Sequence, residues 1–390
     1  MNVAVVLGTR PEVIRLAPLI HEFGRRLGPD NVSVLDTSRQ DDPSMSGEIW
    51  ARHGLSEPAA RLGGSEMSGL ENIDNLAAVL GEELARQQPD AVIVHGDTNS
   101  ALAGALAAKA NSAPLVHVGA GLRSCDHRAP EEHNGVITDQ VADLCCAATW
   151  GNLENLLAEG IDPRRIVRTG STVVEAVASR LPAALVQEAT RTSFGVAEER
   201  YILATIHQPE NTDDPTALAT ILADLGRAGR VSHRDVVLLM HPRTRITVAR
   251  FGLSHLLGMF HVMDPIGHAD FLSLLAGASA VVSDSGGVAE EVTILKRPLV
   301  VVRRSTERTE SVAAGFAVLA APQDVFDATI RALSEPGLLT RLAETPSPYG
   351  DGTAARQIVA HTITRFGGQR VRNVRPVAFR SGMFPQPRRA

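Results

Sequence analysis

Short, mostly apolar runs recur along this chain, and each stops at a glycine or polar turn. In the first half they lie at 2–7, 32–36, 91–94, 113–118 and 165–168; in the second, at 201–206, 236–240, 260–263, 280–283 and 298–302. A strand that is apolar on both faces must be covered on both, which is the condition of a parallel sheet between helices. Helical patterns at 72–87, 101–110, 138–146, 271–276, 324–333 and 354–366 separate the runs, 181–200 reads as helix plus connector, and a helix opens at 284–287. The β-α-β-α alternation predicts an α/β protein of doubly wound parallel sheets, the second half repeating the architecture of the first. Such sheets bind ligands at the carboxyl ends of their strands. Function is therefore sought in the turns that follow the apolar runs.

Composition narrows the classes of function. A chain of 390 residues can hold two domains with separate cores. Its net charge of −6 gives no bulk attraction for nucleic acid or an anionic membrane, so any anion site must be local. Cys125, Cys145 and Cys146 form no disulfide framework; the last two fall in the helical run 138–146 and read as reduced core thiols of a cytoplasmic protein. Cys125 lies in a charged loop. No CxxC or HExxH pattern suggests a metal. The apolar start ends at Gly8 without a basic leader, and no later run reaches about 18 residues, so neither signal peptide nor membrane span is indicated. After Gly367 the Pro- and Arg-rich tail reads as irregular.

The densest turn is 117–134, HVGAGLRSCDHRAPEEHN. Gly119, Ala120 and Gly121 are expected to turn the chain where a buried strand ends. Arg123, Asp126, His127, Arg128, Glu131, Glu132 and His133 follow with no hydrophobic period, and such charge needs water or a polar ligand. Gly8-Thr9-Arg10-Pro11-Glu12 is a glycine turn into a helix start, an anion site by geometry, with Arg10 and Arg15 adding positive charge and Glu12 matching the helix dipole. Asp97 and Thr98 end the run at 91–94, where a ligand role and a helix-cap role are both open. In the second half His207 and His241-Pro242-Arg243 follow strands. Ser285, Gly286 and Gly287 at a helix start have the composition of a phosphate cradle, or of a plain turn. An acidic residue a turn further on can accept from ribose hydroxyls. The run 303–310 is charged and begins at a strand end.

Taken in order, GTRPE at 8–12, HGDT at 95–98, AGLRS at 120–124, PEE at 130–132, DSGG at 284–287, TER at 306–308 and PYGDG at 348–352 form one set. It resembles that of the non-hydrolysing UDP-N-acetylglucosamine 2-epimerase family, over about residues 2–365. The resemblance implies a glycosyltransferase-B-like fold with two Rossmann-like domains facing across a cleft. Residues 1–175 would form the sugar and acceptor side and 176–352 the nucleotide-binding domain; helix 353–366 would cross back, and 367–390 would be an irregular tail. It also implies phosphates on Ser285, Gly286 and Gly287, ribose on Glu291, and Arg10, His207 and Arg243 around the nucleotide. Metal and tightly held cofactor are not expected; a cytoplasmic homodimer is. The family's reaction removes the sugar C2 proton and eliminates the nucleotide diphosphate, which then re-adds to a glycal. Its carboxylates match Asp97, the Glu of a VEAGLR pattern, and Glu131.

This chain departs from the pattern where that chemistry would occur. It reads VGAGLR, so Gly119 replaces a glutamate; Gly135 replaces an arginine; and Ser38-Arg39-Gln40 replaces GQH. Losing a positioned base typically costs about 10²–10⁴ in rate. The first expectation is therefore glycosyl transfer from a UDP- or GDP-linked sugar to a small acceptor, such as a thiol, in antibiotic-type specialised biosynthesis. Asp97, Glu131 and His207 would be the catalytic groups, with Gly119, Arg123, His133 and Arg15 around sugar and acceptor. The alternatives are a 2-epimerase that uses another base, such as Glu132 or Asp126, and a silent nucleotide-sugar binding protein. Gly119→Glu is expected to restore some C2 proton exchange.

Overall fold

The structure, a computed structural model, describes residues 1–39, 45, 47–63 and 69–368. Gln40, much of the polar stretch 37–47 and the tail beyond 368 lie outside the described residues. The chain forms two compact units: residues 1–121 and 127–169, with the chain from 355 on, make the first, and 122–126 with 170–354 make the second.

The first unit is built on seven strands: β1 (Val3–Leu7), β2 (Val32–Asp36), β3 (Ala60–Arg61), β4 (Ala91–His95), β5 (Leu115–Ala120), β6 (Leu144–Ala147) and β7 (Ile166–Arg168). Their order across the sheet is β3-β2-β1-β4-β5-β6-β7, with every pair parallel. All of β1 and β4 is buried, as fully apolar sequences in the middle of a covered sheet must be. The helix Asn99–Ala110 owes its close packing to alanine, which takes little room and favours helix. The second unit repeats the plan with β8 (Tyr201–Thr205), β9 (Asp235–Leu239), β10 (His261–Met263), β11 (Ala280–Ser283), β12 (Leu299–Val302) and β13 (Ala317–Ala320). Its order is β10-β9-β8-β11-β12-β13, again all parallel. Both are Rossmann-like sheets, and both reverse strand order at one point: between β1 and β4, and between β8 and β11. The connections leave to opposite sides there and open a crevice at the strand ends.

Three points of the expected fold need correction. The segment 138–146 is not one helix: the helix Pro130–Val141 ends at Ala142, which is extended, and Cys145 and Cys146 lie on β6. Periodicity cannot separate a short buried strand from a buried helix end. Both thiols stay buried, and desolvation pushes the Cys146 thiol well up from its ordinary value. The strand expected at 113–118 instead covers Leu115–Ala120, so Gly119 and Ala120 belong to β5 and do not form the turn. Strands β3 and β13 were not expected; one has two residues and the other is half exposed. The stretch 181–200 is helix plus connector as expected, the helix being Ala184–Ser193, and a separate helix Val173–Arg180 precedes it.

Close approach at the β1 end depends on Gly8. A Cβ there would lie 2.2 Å from Ser100 Oγ and 2.4 Å from Thr37 Oγ1. Those two hydroxyls are hydrogen-bonded at 2.7 Å, and Thr37 also donates to the Leu7 carbonyl, so neither can step aside without losing a buried bond. Gly8→Ala is expected to cost about 1–3 kcal/mol by overpacking. Chemical denaturation checks this, and the double variant Gly8→Ala/Ser100→Gly is expected to recover part of the loss.

Candidate active site

In the first unit the candidate groups stand at the carboxyl ends of β1, β4 and β5. Arg10 opens the helix Arg10–Leu27, with Arg15 a turn later; burial first, and then Arg52, lowers the Arg10 guanidinium from its ordinary value. Glu12 is 2% exposed. It accepts from the Gly8 N–H at 2.9 Å and the Thr9 and Thr98 hydroxyls at 2.8 Å each. Burial raises its carboxyl above the ordinary range, opposed by these donors. Thr98 also caps the helix Asn99–Ala110, accepting from the Ala101 N–H, so the cap reading is correct for this residue.

Asp97 is half-buried in the turn between β4 and that helix. Its carbonyl accepts from Asn134 Nδ2 at 3.1 Å, and the same amide donates to Asn99 Oδ1. Asn134 belongs to the helix Pro130–Val141, whose first turn holds Glu131 and Glu132. The two glutamates differ: Glu131 is exposed and Glu132 is buried. His133 is exposed, with Nε2 2.9 Å from the His127 carbonyl and its ring stacked on that of His127. Arg123 is buried and donates to the Leu122 carbonyl, within the short segment assigned to the second unit.

Beneath these turns lies a pair that the sequence reading did not assign. His117 on β5 and Asp139 are both fully buried, with Nδ1 and Oδ1 2.6 Å apart. His117 Nε2 donates to the Gly96 carbonyl at 2.8 Å, and Asp139 Oδ2 accepts from the Gly121 N–H at 3.0 Å. The pair therefore ties the turn before Asp97 to the turn after β5. The available signal was a histidine and an aspartate placed in otherwise apolar or buried stretches.

Gly119 sits inside β5 at an irregularity in the pairing with β6, between Val118 and Ala120. Its φ is +76°, in the left-handed region that favours glycine. Residue 119 thus stands in a backbone conformation that disfavours a side chain.

In the second unit the organising group is Asp284, at the end of β11 and fully buried. It accepts from the backbone N–H of His207 and Gln208 and from Asn211 Nδ2, at 2.8–3.0 Å. His207 Nδ1 lies 3.1 Å from it, and the His207 and His241 rings are 5.2 Å apart. His241 Nδ1 accepts from the Arg243 N–H, which fits a neutral ring. Burial, then the neighbouring His207, lowers the His241 pKa below the ordinary histidine value. Ser285 stands at the N-cap of the helix Gly286–Leu295 but makes no side-chain cap bond, and Gly286 and Gly287 begin the first turn. That geometry suits an anion. Glu291 is paired with His268 Nε2 at 2.9 Å. Arg243 donates to Thr212 Oγ1 and Asp213, away from the Ser285 turn in bonding.

The charged run after β12 is not a solvated face. Arg308 is buried and donates to Glu290 at 2.6 Å, and Ser171 donates to the same carboxylate. Burial alone would lower the Arg308 guanidinium; Glu290 outweighs it and holds the group above its ordinary value. Arg303 bridges Glu210 and Glu307. Among the described residues no group of three or more His, Cys, Asp or Glu could hold a metal ion, and no helix is long and apolar enough to cross a membrane.

A model of the UDP-N-acetylglucosamine 2-epimerase family matches residues 29–362. The chain is 33% identical over 367 residues to the UDP-N-acetylglucosamine 2-epimerase of Methanocaldococcus jannaschii, covering 92% of this chain and 98% of that one. It is 31% identical to the UDP-2,3-diacetamido-2,3-dideoxy-D-glucuronate 2-epimerase of Pseudomonas aeruginosa, covering 93% and 99%. The crystal structure of the M. jannaschii UDP-GlcNAc 2-epimerase in complex with UDP-GlcNAc and UDP is similar with a TM-score of 0.85 at 32% identity, covering 93% of this chain and 100% of that one.

The backbone at Gly119 changes the expectation for restoring a glutamate. Gly119→Glu places a side chain at a φ of +76° and is expected to lose about 1–3 kcal/mol of stability. Thermal and urea unfolding check this; wild-type stability would mean that the β5 irregularity relaxes without strain.

Proposed function

We propose a function from one established premise: the chain belongs to the UDP-N-acetylglucosamine 2-epimerase family. The reading is a UDP-sugar 2-epimerase that removes the C2 proton of a UDP-linked 2-acetamido sugar, releases UDP from C1 to leave a glycal, and re-adds it. The observation that carries it is the Asn134 bridge. It fastens the Asp97 turn to the helix bearing Glu131 and Glu132, so two carboxylate-bearing elements are fixed together in the first unit. Paired carboxylates suit proton removal on one face and delivery on the other. Asp97 and Glu131 take these roles, with buried Glu132 beside the second.

Ser285, Gly286 and Gly287 take the diphosphate at the start of their helix, with His207 held by Asp284, the residue before Ser285. UDP is preferred over GDP because both named relatives act on UDP-sugars. The P. aeruginosa relative also shows that substituents on the sugar vary within the family, so the sugar is named here only by class.

A second reading is favoured by Gly119. Where the family pattern has a carboxylate, this chain has no side chain at all. Departure of UDP from C1 is common to epimerisation and glycosyl transfer, so a small acceptor such as a thiol could attack C1 in place of returning UDP. Similarity to named epimerases over nearly the whole chain places this second.

UDP-GlcNAc incubated with the protein in deuterated water and followed by NMR separates the two. Deuterium at C2 with a manno epimer is the expected result; UDP release only after an acceptor is added, without C2 label, would replace it with transfer. Asp97→Asn is expected to slow C2 exchange by about 10²–10⁴. Ser285→Ala is expected to weaken UDP binding by about tenfold or more, the value of one hydrogen bond to a charged group. Calorimetric titration with UDP reads it, and unchanged affinity would remove Ser285 from the phosphate site.

A further inference from the structure

Three side chains from three elements hold three consecutive positions of the turn that carries Asp97. His117 of β5 donates to the carbonyl of Gly96 at 2.8 Å. Asn134 donates to the carbonyl of Asp97 at 3.1 Å. Glu12 accepts the hydroxyl of Thr98 at 2.8 Å. The backbone on both sides of Asp97 is thereby fixed, and with it the direction in which the side chain leaves.

Of the three, Glu12 is the hardest to explain by packing. A carboxylate that is 2% exposed carries a large desolvation cost unless its lone pairs are used. They are used on Gly8 and Thr9 at the end of β1 and on Thr98 beyond β4. One carboxylate thus joins the two strands that flank the crevice of the first sheet. The Thr98 hydroxyl has a single proton. It gives that proton to Glu12 and accepts the Ala101 N–H, so its rotor has one setting. A glutamine of the same shape keeps the volume but turns an amide N–H₂ toward one of the donors and loses the charge.

We propose that Glu12 is a positioning residue for Asp97, acting through Thr98. This deepens the proposed epimerase reading and rests on Asp97 transferring a proton there. A displacement of about 1 Å in a catalytic group can cost about 10² in rate, so loosening this turn acts on the chemical step and leaves nucleotide binding in place.

The test uses the full chain and the variants Glu12→Gln, Thr98→Val, the double variant, and Thr98→Ser. Three quantities are read: kcat and KM for C2 deuterium exchange with UDP-GlcNAc, the UDP dissociation constant, and amide hydrogen exchange by mass spectrometry. Glu12→Gln and Thr98→Val are each expected to lower kcat by about tenfold to 10²-fold, and Thr98→Val, which leaves the Gly8–Thr9 turn intact, is expected to keep KM and UDP affinity within about twofold of wild type. The double variant is expected to lose less than the sum of the two single losses, because both remove the Glu12–Thr98 bond, while Glu12→Gln also disturbs Gly8 and Thr9 and Thr98→Val also removes the cap on Ala101. Thr98→Ser recovers most of the kcat lost in Thr98→Val. Amides at 97–101 exchange faster in both single variants, while β1 and β4 keep wild-type protection. Additive losses, a wild-type kcat in Glu12→Gln, or losses that follow global unfolding would overturn the proposal. If the wild-type protein exchanges no C2 proton, the epimerase reading fails separately. Amide exchange then decides: selective, non-additive loosening at 97–101 upholds the hold of Glu12 on this turn, and unchanged exchange overturns it.

Discussion

A buried carboxylate at the reversal point of each sheet is the interaction on which the rest of the site depends. In the first unit Glu12, just after β1, accepts from Thr98 beyond β4. In the second, Asp284, just after β11, accepts from His207, Gln208 and Asn211 beyond β8. The carboxylate comes from the opposite side of the crevice in the two cases, but the physical result is the same. Strand ends whose connections diverge are stitched by hydrogen bonds to a charged acceptor, each of the kind worth about 1.5–3 kcal/mol. Both carboxylates are buried, so their oxygens are satisfied by donors of the chain.

That arrangement gives the candidate turns several hydrogen bonds each, although they lie outside helices and strands. Asp97 is fixed through its neighbours, with His117 and Asn134 completing what Glu12 begins. The Ser285 turn is fixed because the residue before it is Asp284, whose oxygens are committed to the opposite turn. Preorganised groups of this kind need no rearrangement when charge develops on the substrate. Gly119 is the exception. It lies at an irregularity of β5 in a left-handed conformation and brings no side chain to this turn.

Much of the fold was legible in the sequence because a strand buried on both faces has no choice of composition. VAVVL, AVIVH and LVVV announce themselves, and the alternation with helices leaves few topologies. What was lost has physical reasons. LCCA follows a helix so closely that its apolar residues extend the helical pattern, and β13 exposes two of its four side chains. The motifs located the candidate turns, but not which of two adjacent glutamates faces inward; that depends on the phase of the helix Pro130–Val141 against its neighbours. His117, Asp139 and Asp284 were hidden for a related reason. Their partners, backbone groups and side chains alike, lie far along the chain, and no local spacing records them.

The central claim is that this site breaks the bond between C1 and the diphosphate of a UDP-sugar without help from a second substrate. Positional isotope exchange measures that directly. UDP-GlcNAc carrying oxygen-18 in the bridge between C1 and the β-phosphorus is incubated with the protein alone and examined by phosphorus NMR. Scrambling of the label into the non-bridging β-phosphate positions is predicted, because UDP released beside the glycal can rotate before it returns. Label that stays wholly in the bridge, in a protein that demonstrably binds UDP-GlcNAc, would contradict the account.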